Sequence, residues 1–171
     1  MRALHLPSPA LAELFNHLIG CFPEEGCGVV LGSVSDPQAA RFVPMPNLQG
    51  RLHTMDPVAY PRDARTAYAM DPLRLQRLLD AAEAQGEALL AIVHSHPGHP
   101  AYLSATDIAA AAPFGLPTFP EAAQVVVAVF DGHVAELKAF LFDGEAWVER
   151  PVSGLPELPG PPPGATRLGE A

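Results

Sequence analysis

Cysteine is scarce in this chain, since only Cys21 and Cys27 occur among its 171 residues. A single possible bridge cannot form the disulfide framework of a small secreted domain, so we expect a reduced, cytoplasmic protein with partly buried thiols. Long apolar runs are missing as well, because no stretch reaches the roughly 18 residues that a transmembrane helix needs. Residues 1–15 also lack the basic, apolar and small-residue regions of a signal peptide.

Basic residues are also few. The chain has 10 Lys and Arg against 19 Asp and Glu, which gives a net charge of −9 with neutral histidines. Binding to nucleic acid without sequence preference needs Lys and Arg to replace the phosphate counterions. The charge balance therefore argues against nucleic acid and against an anionic membrane surface as partners, and it is compatible with a neutral or basic protein partner.

Two kinds of hydrophobic periodicity occur along the chain. Apolar side chains recur at three- and four-residue steps over residues 11–18 and predict an amphipathic helix. The nearly continuous apolar run at 88–95 predicts a strand covered on both faces. The predicted helices are 8–20, 72–85 and one that begins near Ser104, and the predicted strands are 27–33, 40–47, 64–70, 88–95, 123–131, 134–143 and 145–150. Together they predict an α+β domain with a largely antiparallel sheet and helices on its faces.

The composition changes after residue 150. From Pro151 onward the chain is dense in proline and glycine, as in the stretch PELPGPPPGA. Such a composition is typical of extended or disordered linkers, which build no core of their own. We therefore expect one domain over residues 1–150 and a flexible tail over residues 151–171.

Candidate metal ligands are concentrated in AIVHSHPGHPAYLSATD, residues 91–107. Side chains at positions i and i+2 of a strand share a face, so His94 and His96 are expected to project side by side. Ser104 and Asp107 are expected to share a face in the first turn of the following helix. Two imidazoles and one carboxylate with an open fourth position are the ligand set of a catalytic zinc site.

A catalytic zinc site also needs a group that accepts the proton of the attacking water. Glu24 and Glu25, which directly precede a predicted strand, are the candidates. Each pattern has a plainer interpretation when it stands alone: the Ser-x-x-Asp spacing is that of a helix capping box, and an isolated His-x-His pair is more often structural. His99 is expected to lie outside the ligand set. The joint occurrence of all the parts in one order favours the metal site.

This order resembles the JAMM metalloprotease family, also called MPN-plus. The family pattern is Glu, then His-x-His, seven residues, Ser, two residues and Asp. In this chain the matching residues are Glu25, His94, His96, Ser104 and Asp107. The stretch PEEGCGVVLGS is similar to the family's Glu-x-Cys-Gly opening and selects Glu25 over Glu24. Asn47 and the stretch YAMDPLRL resemble features of the short prokaryotic members.

The resemblance implies both the site and the reaction. His94, His96 and Asp107 would bind one Zn²⁺, with a water as the fourth ligand. Glu25 would be the general acid and base, and Ser104 would hydrogen-bond the oxyanion. The implied fold is a twisted, largely antiparallel sheet flanked by helices, in a cytidine-deaminase-like α/β/α layout. The implied reaction is hydrolysis of the bond after the C-terminal Gly-Gly of a ubiquitin-like or sulfur-carrier protein, by a monomer or a homodimer.

Two alternative functions stay open at this point. One is a catalytically silent MPN-type scaffold that binds protein partners, although a scaffold has no physical need for the metal ligands and the acid. The other is a RadC-like DNA-associated protein, whose motif has Asn where this chain has Ser95 and whose function the acidic charge disfavours. The chain departs from many family members at Leu103, where they carry Pro, but this change removes no catalytic group.

Overall fold

The computed structural model of the chain describes residues 3–33 and 35–169. Residues 1–2, 34 and 170–171, which belong to the predicted domain and tail, lie outside the described residues. No helix in the described part is long and apolar enough to cross a bilayer. The helices are α1 (Ser8–Cys21), α2 (Gln49–Met55), α3 (Pro72–Glu83) and α4 (Ala105–Ala111), and the strands are β1 (Leu4–His5), β2 (Cys27–Ser33), β3 (Asp36–Met45), β4 (Ala88–Pro97), β5 (Ala123–Phe130), β6 (His133–Phe142), β7 (Trp147–Arg150) and β8 (Val152–Ser153).

Six of the strands form one sheet in the order β3-β2-β4-β5-β6-β7. The β4–β5 pair is parallel, whereas the other neighbours in this sheet are antiparallel. The two-residue strands β1 and β8 form a separate parallel pair. The predicted α+β fold with a largely antiparallel sheet is therefore confirmed.

Helices cover both faces of this sheet. On one face, Val30 and Val93 of the central strands pack in the same buried cluster as Leu14 and Leu18 of α1. On the opposite face, Val29 packs with apolar residues of α3. Each fully buried Val or Leu side chain contributes about 1.5–3 kcal/mol to folding. This two-sided cover explains why β2 and β4 read as continuous apolar runs rather than alternating ones.

The topology brings three chain segments to one end of β4. The start of β2 lies beside the end of β4, with Cys27 opposite His94. After β4 the chain turns at Gly98, whose φ of 74° is in the left-handed region that favours glycine. Ala101 is then buried against β5 and β6, which returns the chain to the sheet before α4 begins. The residues just before β2, the end of β4 and the start of α4 therefore meet.

One predicted strand is wrong. Residues 64–70 form no strand in the structure but an irregular segment between α2 and α3. Their backbone hydrogen bonds go to single partners instead of a ladder: Ala64 O accepts from Glu25 N, and Asn47 accepts from Ala69 N and donates to Ala67 O. The short helix α2 carries no clear apolar periodicity and was not predicted. The predicted helices 8–20 and 72–85 match α1 and α3 to within two residues.

The chain after β7 lies along the domain. Ser153 O accepts from Leu6 N at 3.0 Å, and Gly160 N donates to Ala135 O at 2.9 Å. Leu155 and Leu158 pack against the larger core cluster. Residues 166–168 then reach the loop that follows β4, where His99 and Tyr102 contact them. The division of the chain at residue 150 stays a prediction.

Candidate metal centre

Three side chains converge at the end of β4. His94 Nε2 lies 3.3 Å from His96 Nε2, as expected for imidazoles two residues apart on one face of a strand. Asp107, in the first turn of α4, places Oδ1 3.3 Å from His94 Nε2 and Oδ2 3.4 Å from His96 Nε2. The ligand atoms of His94, His96 and Asp107 all lie within 4.8 Å of one another.

These separations fit a tetrahedral metal ion. Bonds of about 2.0–2.1 Å from zinc to nitrogen or oxygen give a tetrahedron whose edges are about 3.3–3.4 Å. The observed contacts of 3.3 and 3.4 Å between the three side chains equal this edge length. The donor set is two imidazoles and one carboxylate, which suits zinc and other divalent ions of its series. The residues present therefore fit a metal ion with an open fourth position.

The histidines are held in the form that binds a metal. His96 Nδ1 lies 3.2 Å from Pro100 O, so this nitrogen carries the proton and leaves the Nε2 lone pair directed at the other ligands. Burial lowers the pKa of His94, and the neighbouring Asp107 carboxylate opposes this shift. The neutral imidazole is the ligand form. His94 Nδ1 is buried and has no hydrogen-bond partner among the described residues.

Asp107 is fixed in orientation and in charge. Ser104 N and Ser104 Oγ donate to Asp107 Oδ2 at 2.8 and 2.6 Å, and Asp107 N donates to Ser104 Oγ at 3.1 Å. This is a complete capping box, as the spacing predicted. Burial alone would raise the pKa of Asp107, but its close contacts with His94 and His96 and the hydrogen bond from Ser104 hold that pKa well below its usual range. The group therefore presents one negative charge and two neutral donors to a cation.

Glu25 lies in the same site with its carboxyl group buried. Its side chain is 5% exposed, and Oε2 is buried without a hydrogen-bond partner among the described residues. Burial, and next the charge of Asp107, raise the pKa of Glu25 to about 9, although Arg62 opposes this rise. A carboxyl group whose pKa lies near or above neutrality can both hold and release a proton in the working range.

Three polar partners hold the backbone of Glu25 in place. Asn47 Nδ2 donates to Glu25 O at 2.9 Å, and Glu25 N donates to Ala64 O at 2.7 Å. The next peptide is held by Ser95, whose Oγ accepts from Gly26 N at 2.8 Å. Ser95 lies between the two histidines in sequence, so one residue connects the metal ligands to the acid. The contacts that Ser95 and Asn47 make with this backbone do not follow from their residue types alone.

Two tyrosines pack against the imidazoles. Tyr68 stacks on His94 with ring centroids 4.6 Å apart, and Tyr102 meets His96 edge-on at 4.8 Å. Burial raises the pKa of Tyr68, and the nearby carboxyl groups add to this shift. The sequence interpretation missed both contacts. Tyr68 lies in the segment that was predicted as a strand, and no pattern singled out Tyr102. The aromatic residue of YAMDPLRL was the only signal that could have pointed to Tyr68.

One cavity opens onto these groups. The site cavity has a volume of about 320 Å³ and is lined by Glu25, Arg62, Thr66, His96, Pro97, His99, Tyr102, Leu103, Ser104, Ala105, Thr106, Asp107, Arg167 and Leu168. The structure thus brings together all five predicted site residues. His99 lines the cavity but is not in the ligand group, and its Nδ1 lies 2.8 Å from Thr166 O.

Comparisons with known proteins find relatives that are named as peptidases. The probable TtuB-protein conjugate cleaving protease of Thermus thermophilus is 38% identical over 105 residues, which cover 61% of each chain. The CysO-cysteine peptidase of Mycobacterium tuberculosis is 30% identical over 146 residues, which cover 83% of this chain and 87% of the relative. These names describe peptidases.

Solved structures show the same fold. A protein from Desulfitobacterium hafniense aligns with a TM-score of 0.66 at 22% identity, covering 90% of this chain and 94% of its own. A protein from Salinibacter ruber aligns with a TM-score of 0.51 at 27% identity, covering 94% of both chains. A family model described as prokaryotic homologs of the JAB domain matches residues 7–142. The chain therefore belongs to the prokaryotic JAB-domain family.

Proposed function

We propose that this protein is a zinc-dependent peptidase that hydrolyses the bond after the C-terminal Gly-Gly of a ubiquitin-like or sulfur-carrier protein. The observation that carries the proposal is the convergence of His94, His96 and Asp107 beside the buried carboxyl group of Glu25. A structural zinc site would use a fourth protein ligand and would need no acid beside it. The open position and the acid favour hydrolysis.

His94, His96 and Asp107 would hold the ion. Zinc bound there would polarise the scissile carbonyl group and lower the pKa of the attacking water to about 7. The protein's own contribution is to orient the ligands: the Pro100 carbonyl fixes the His96 ring, and the Ser104 backbone fixes the Asp107 carboxylate. Such outer contacts keep the ligand atoms in place before the ion binds.

Glu25 would transfer the proton. In its carboxylate form it takes one proton from the attacking water and passes it to the amine that leaves when the C–N bond breaks. Its backbone contacts to Asn47 and Ala64 restrict where the carboxyl group can lie. Restriction of this kind supports proton transfer, because the carboxyl oxygen must lie within hydrogen-bond reach of both the water and the amine.

Ser104 would donate a hydrogen bond to the developing oxyanion. In this structure its only hydroxyl hydrogen is directed at Asp107 Oδ2, at 2.6 Å. The oxyanion role therefore requires the hydroxyl group to turn towards the substrate. The bond from Ser104 N to the same Asp107 oxygen, at 2.8 Å, keeps the carboxylate in position while the hydroxyl group turns.

The substrate class rests on the relatives and on the cavity. The names of the relatives specify TtuB-protein conjugates and CysO-cysteine as what those proteins cleave. A cavity of about 320 Å³ admits an extended tail of a few residues rather than a folded domain. Glycines before the cut pass such a cavity most easily, since they carry no side chain.

The test is cleavage of carrier fusions followed by mass spectrometry. TtuB and CysO, each extended beyond Gly-Gly, are incubated with the zinc-loaded protein, with the same protein plus a chelator, and with Glu25→Gln. We expect a single cut after Gly-Gly that the chelator abolishes and that Glu25→Gln nearly abolishes while it retains zinc. Glu24→Gln, which removes an exposed carboxylate one position away, is the matched control. Absence of cleavage by the zinc-loaded parent would contradict the proposal and favour a silent scaffold.

A further inference from the structure

Two arginines line the site cavity together with the candidate catalytic groups. Arg62 comes from the irregular segment before α3, and Arg167 comes from the C-terminal segment. They are more than a hundred positions apart in sequence, so no local pattern could have linked them. Neither has a part in metal binding or proton transfer as proposed above.

Arg62 is held at the Glu25 side of the cavity. Gln49, which is 7% exposed, donates from Nε2 to Arg62 O at 2.6 Å and thereby fixes the backbone. Arg62 Nη1 donates to Thr66 O at 3.3 Å. This contact uses one of the five donors of the guanidinium group. The charge of Arg62 is close enough to act on Glu25.

Arg167 is held at the loop that follows the histidines. Its guanidinium carbon lies 4.9 Å from the centroid of the Tyr102 ring, in a cation–π contact. The residues on either side are also anchored, since Thr166 O contacts His99 Nδ1 at 2.8 Å and Leu168 N donates to the Tyr102 hydroxyl at 3.0 Å. A cation–π contact occupies the face of the guanidinium group and leaves its N–H donors free.

Neither arginine has an acidic partner among the described residues. Among the described basic residues, Arg41 pairs with Glu87 at 2.7 Å and Lys138 pairs with Glu136 at 3.3 Å, and the other arginines form no ion pair. The two cavity arginines therefore bring two positive charges that no ion pair in the described part of the chain neutralises to one cavity of a protein whose acidic residues outnumber its basic ones by 19 to 10. Guanidinium groups bind carboxylates through paired N–H donors.

We propose that Arg62 and Arg167 bind the free α-carboxylate of a single amino acid that the enzyme releases from the C terminus of its carrier protein. This inference rests on the proposed function. Water adds its oxygen to the Gly carbonyl carbon, the C–N bond breaks, and the leaving amino acid takes a proton from Glu25. The carboxylate of that amino acid lies within one residue, about 3.3–3.6 Å along the chain, of the broken bond.

The two arginines then distinguish between two kinds of substrate. A carrier joined to the side chain of a lysine within a protein presents no free carboxylate beside the scissile bond. A carrier that ends in one extra amino acid presents a free carboxylate beside the scissile bond at every cut. That carboxylate carries a negative charge, and Arg62 and Arg167 supply positive charges at the cavity that would receive it. A carrier protein with a single-residue C-terminal extension is therefore the preferred substrate.

The experiment compares two substrates that differ in this charge alone. CysO is extended beyond Gly-Gly by one cysteine, either as the free acid or as the C-terminal amide, and kcat/KM is measured for both. We expect the parent to prefer the acid by about 10- to 100-fold, the range for charge-assisted hydrogen bonds. In the double variant Arg62→Gln, Arg167→Gln the ratio of acid to amide should fall to near one. Arg65→Gln, an exposed arginine outside the cavity, should keep the parent ratio.

A binding measurement complements the kinetics. In Glu25→Gln, a peptide that ends in Gly-Gly-Cys should bind more tightly as the acid than as the amide in calorimetry, and the double variant should remove the difference. Equal rates and affinities for acid and amide in the parent would overturn the inference, as would an undiminished preference in the double variant. In either case cleavage of the amide leaves the proposed function standing. A parent that cleaves neither of these nor a lysine-linked conjugate overturns both.

Discussion

The buried carboxyl group of Glu25 makes the stability of the metal-free protein depend on pH. Burial, and next the charge of Asp107, raise its pKa from 4.5 to about 9. Between these two values the folded state binds a proton that the unfolded state has lost. The contribution of Glu25 to stability is therefore greatest below pH 4.5 and falls as the pH rises towards 9. Each pH unit in this window costs about 1.36 kcal/mol, so from pH 5 to pH 8 the loss from this group is roughly 4 kcal/mol.

The substitution Glu25→Gln isolates this effect, because the amide has nearly the same shape and stays neutral at every pH. Urea unfolding, followed by the fluorescence of Trp147 with a chelator present, gives the free energy of unfolding at each pH. We expect the difference between variant and parent to shift in favour of the variant by roughly 4 kcal/mol from pH 5 to pH 8. Glu24→Gln removes an exposed carboxylate one position away and serves as the matched control.

The same variant has a second, separate outcome in the zinc-loaded protein. General acid–base catalysis contributes about 10²- to 10⁴-fold to rate, so Glu25→Gln should lose that much in kcat. If the parent and Glu25→Gln show the same dependence of stability on pH, Glu25 is not the buried neutral acid described above. A parent-like kcat would remove Glu25 from proton transfer.

Three further substitutions test the site. His96→Ala should lose stoichiometric zinc in elemental analysis, whereas His99→Ala should retain it, and equal zinc in both would contradict the ligand set. Ser104→Ala should slow turnover and lower the free energy of unfolding by about 1 kcal/mol through loss of the helix cap; unchanged turnover would remove the oxyanion role. Asn47→Ala should destabilise the protein by about 1–3 kcal/mol, because it leaves the backbone carbonyl groups of Glu25 and Ala67 without their amide donor, and should lower kcat more than it raises KM; a change in KM alone would show that Asn47 does not position Glu25.

The sequence predicted the positions of the three candidate metal ligands because the geometry of a single strand and of a helix start determines them. The apolar run at 88–95 indicated a covered strand, and the extended backbone through Pro97 placed His94 and His96 on one face. The Ser-x-x-Asp spacing indicated the start of α4, where the capping box holds Asp107. In both cases neighbours in sequence determine the geometry, so local rules were sufficient.

The sequence could not predict contacts between distant segments. The 64–70 stretch has strand-like residues, but its backbone hydrogen bonds are taken up by Asn47 and Glu25 from elsewhere in the chain. The stacking of Tyr68 on His94 depends on that irregular path. Arg167 reaches the site cavity only because the segment after β8 crosses the domain. Such placements follow from tertiary packing, for which composition and periodicity give no signal.

The most direct test of the metal site is a crystal structure of the zinc-loaded protein with anomalous data collected at the zinc absorption edge. We expect one peak per chain, about 2.0–2.1 Å from His94 Nε2, His96 Nε2 and a carboxylate oxygen of Asp107. A peak held by other residues, or no peak in crystals of protein that contains zinc in solution, would contradict the account.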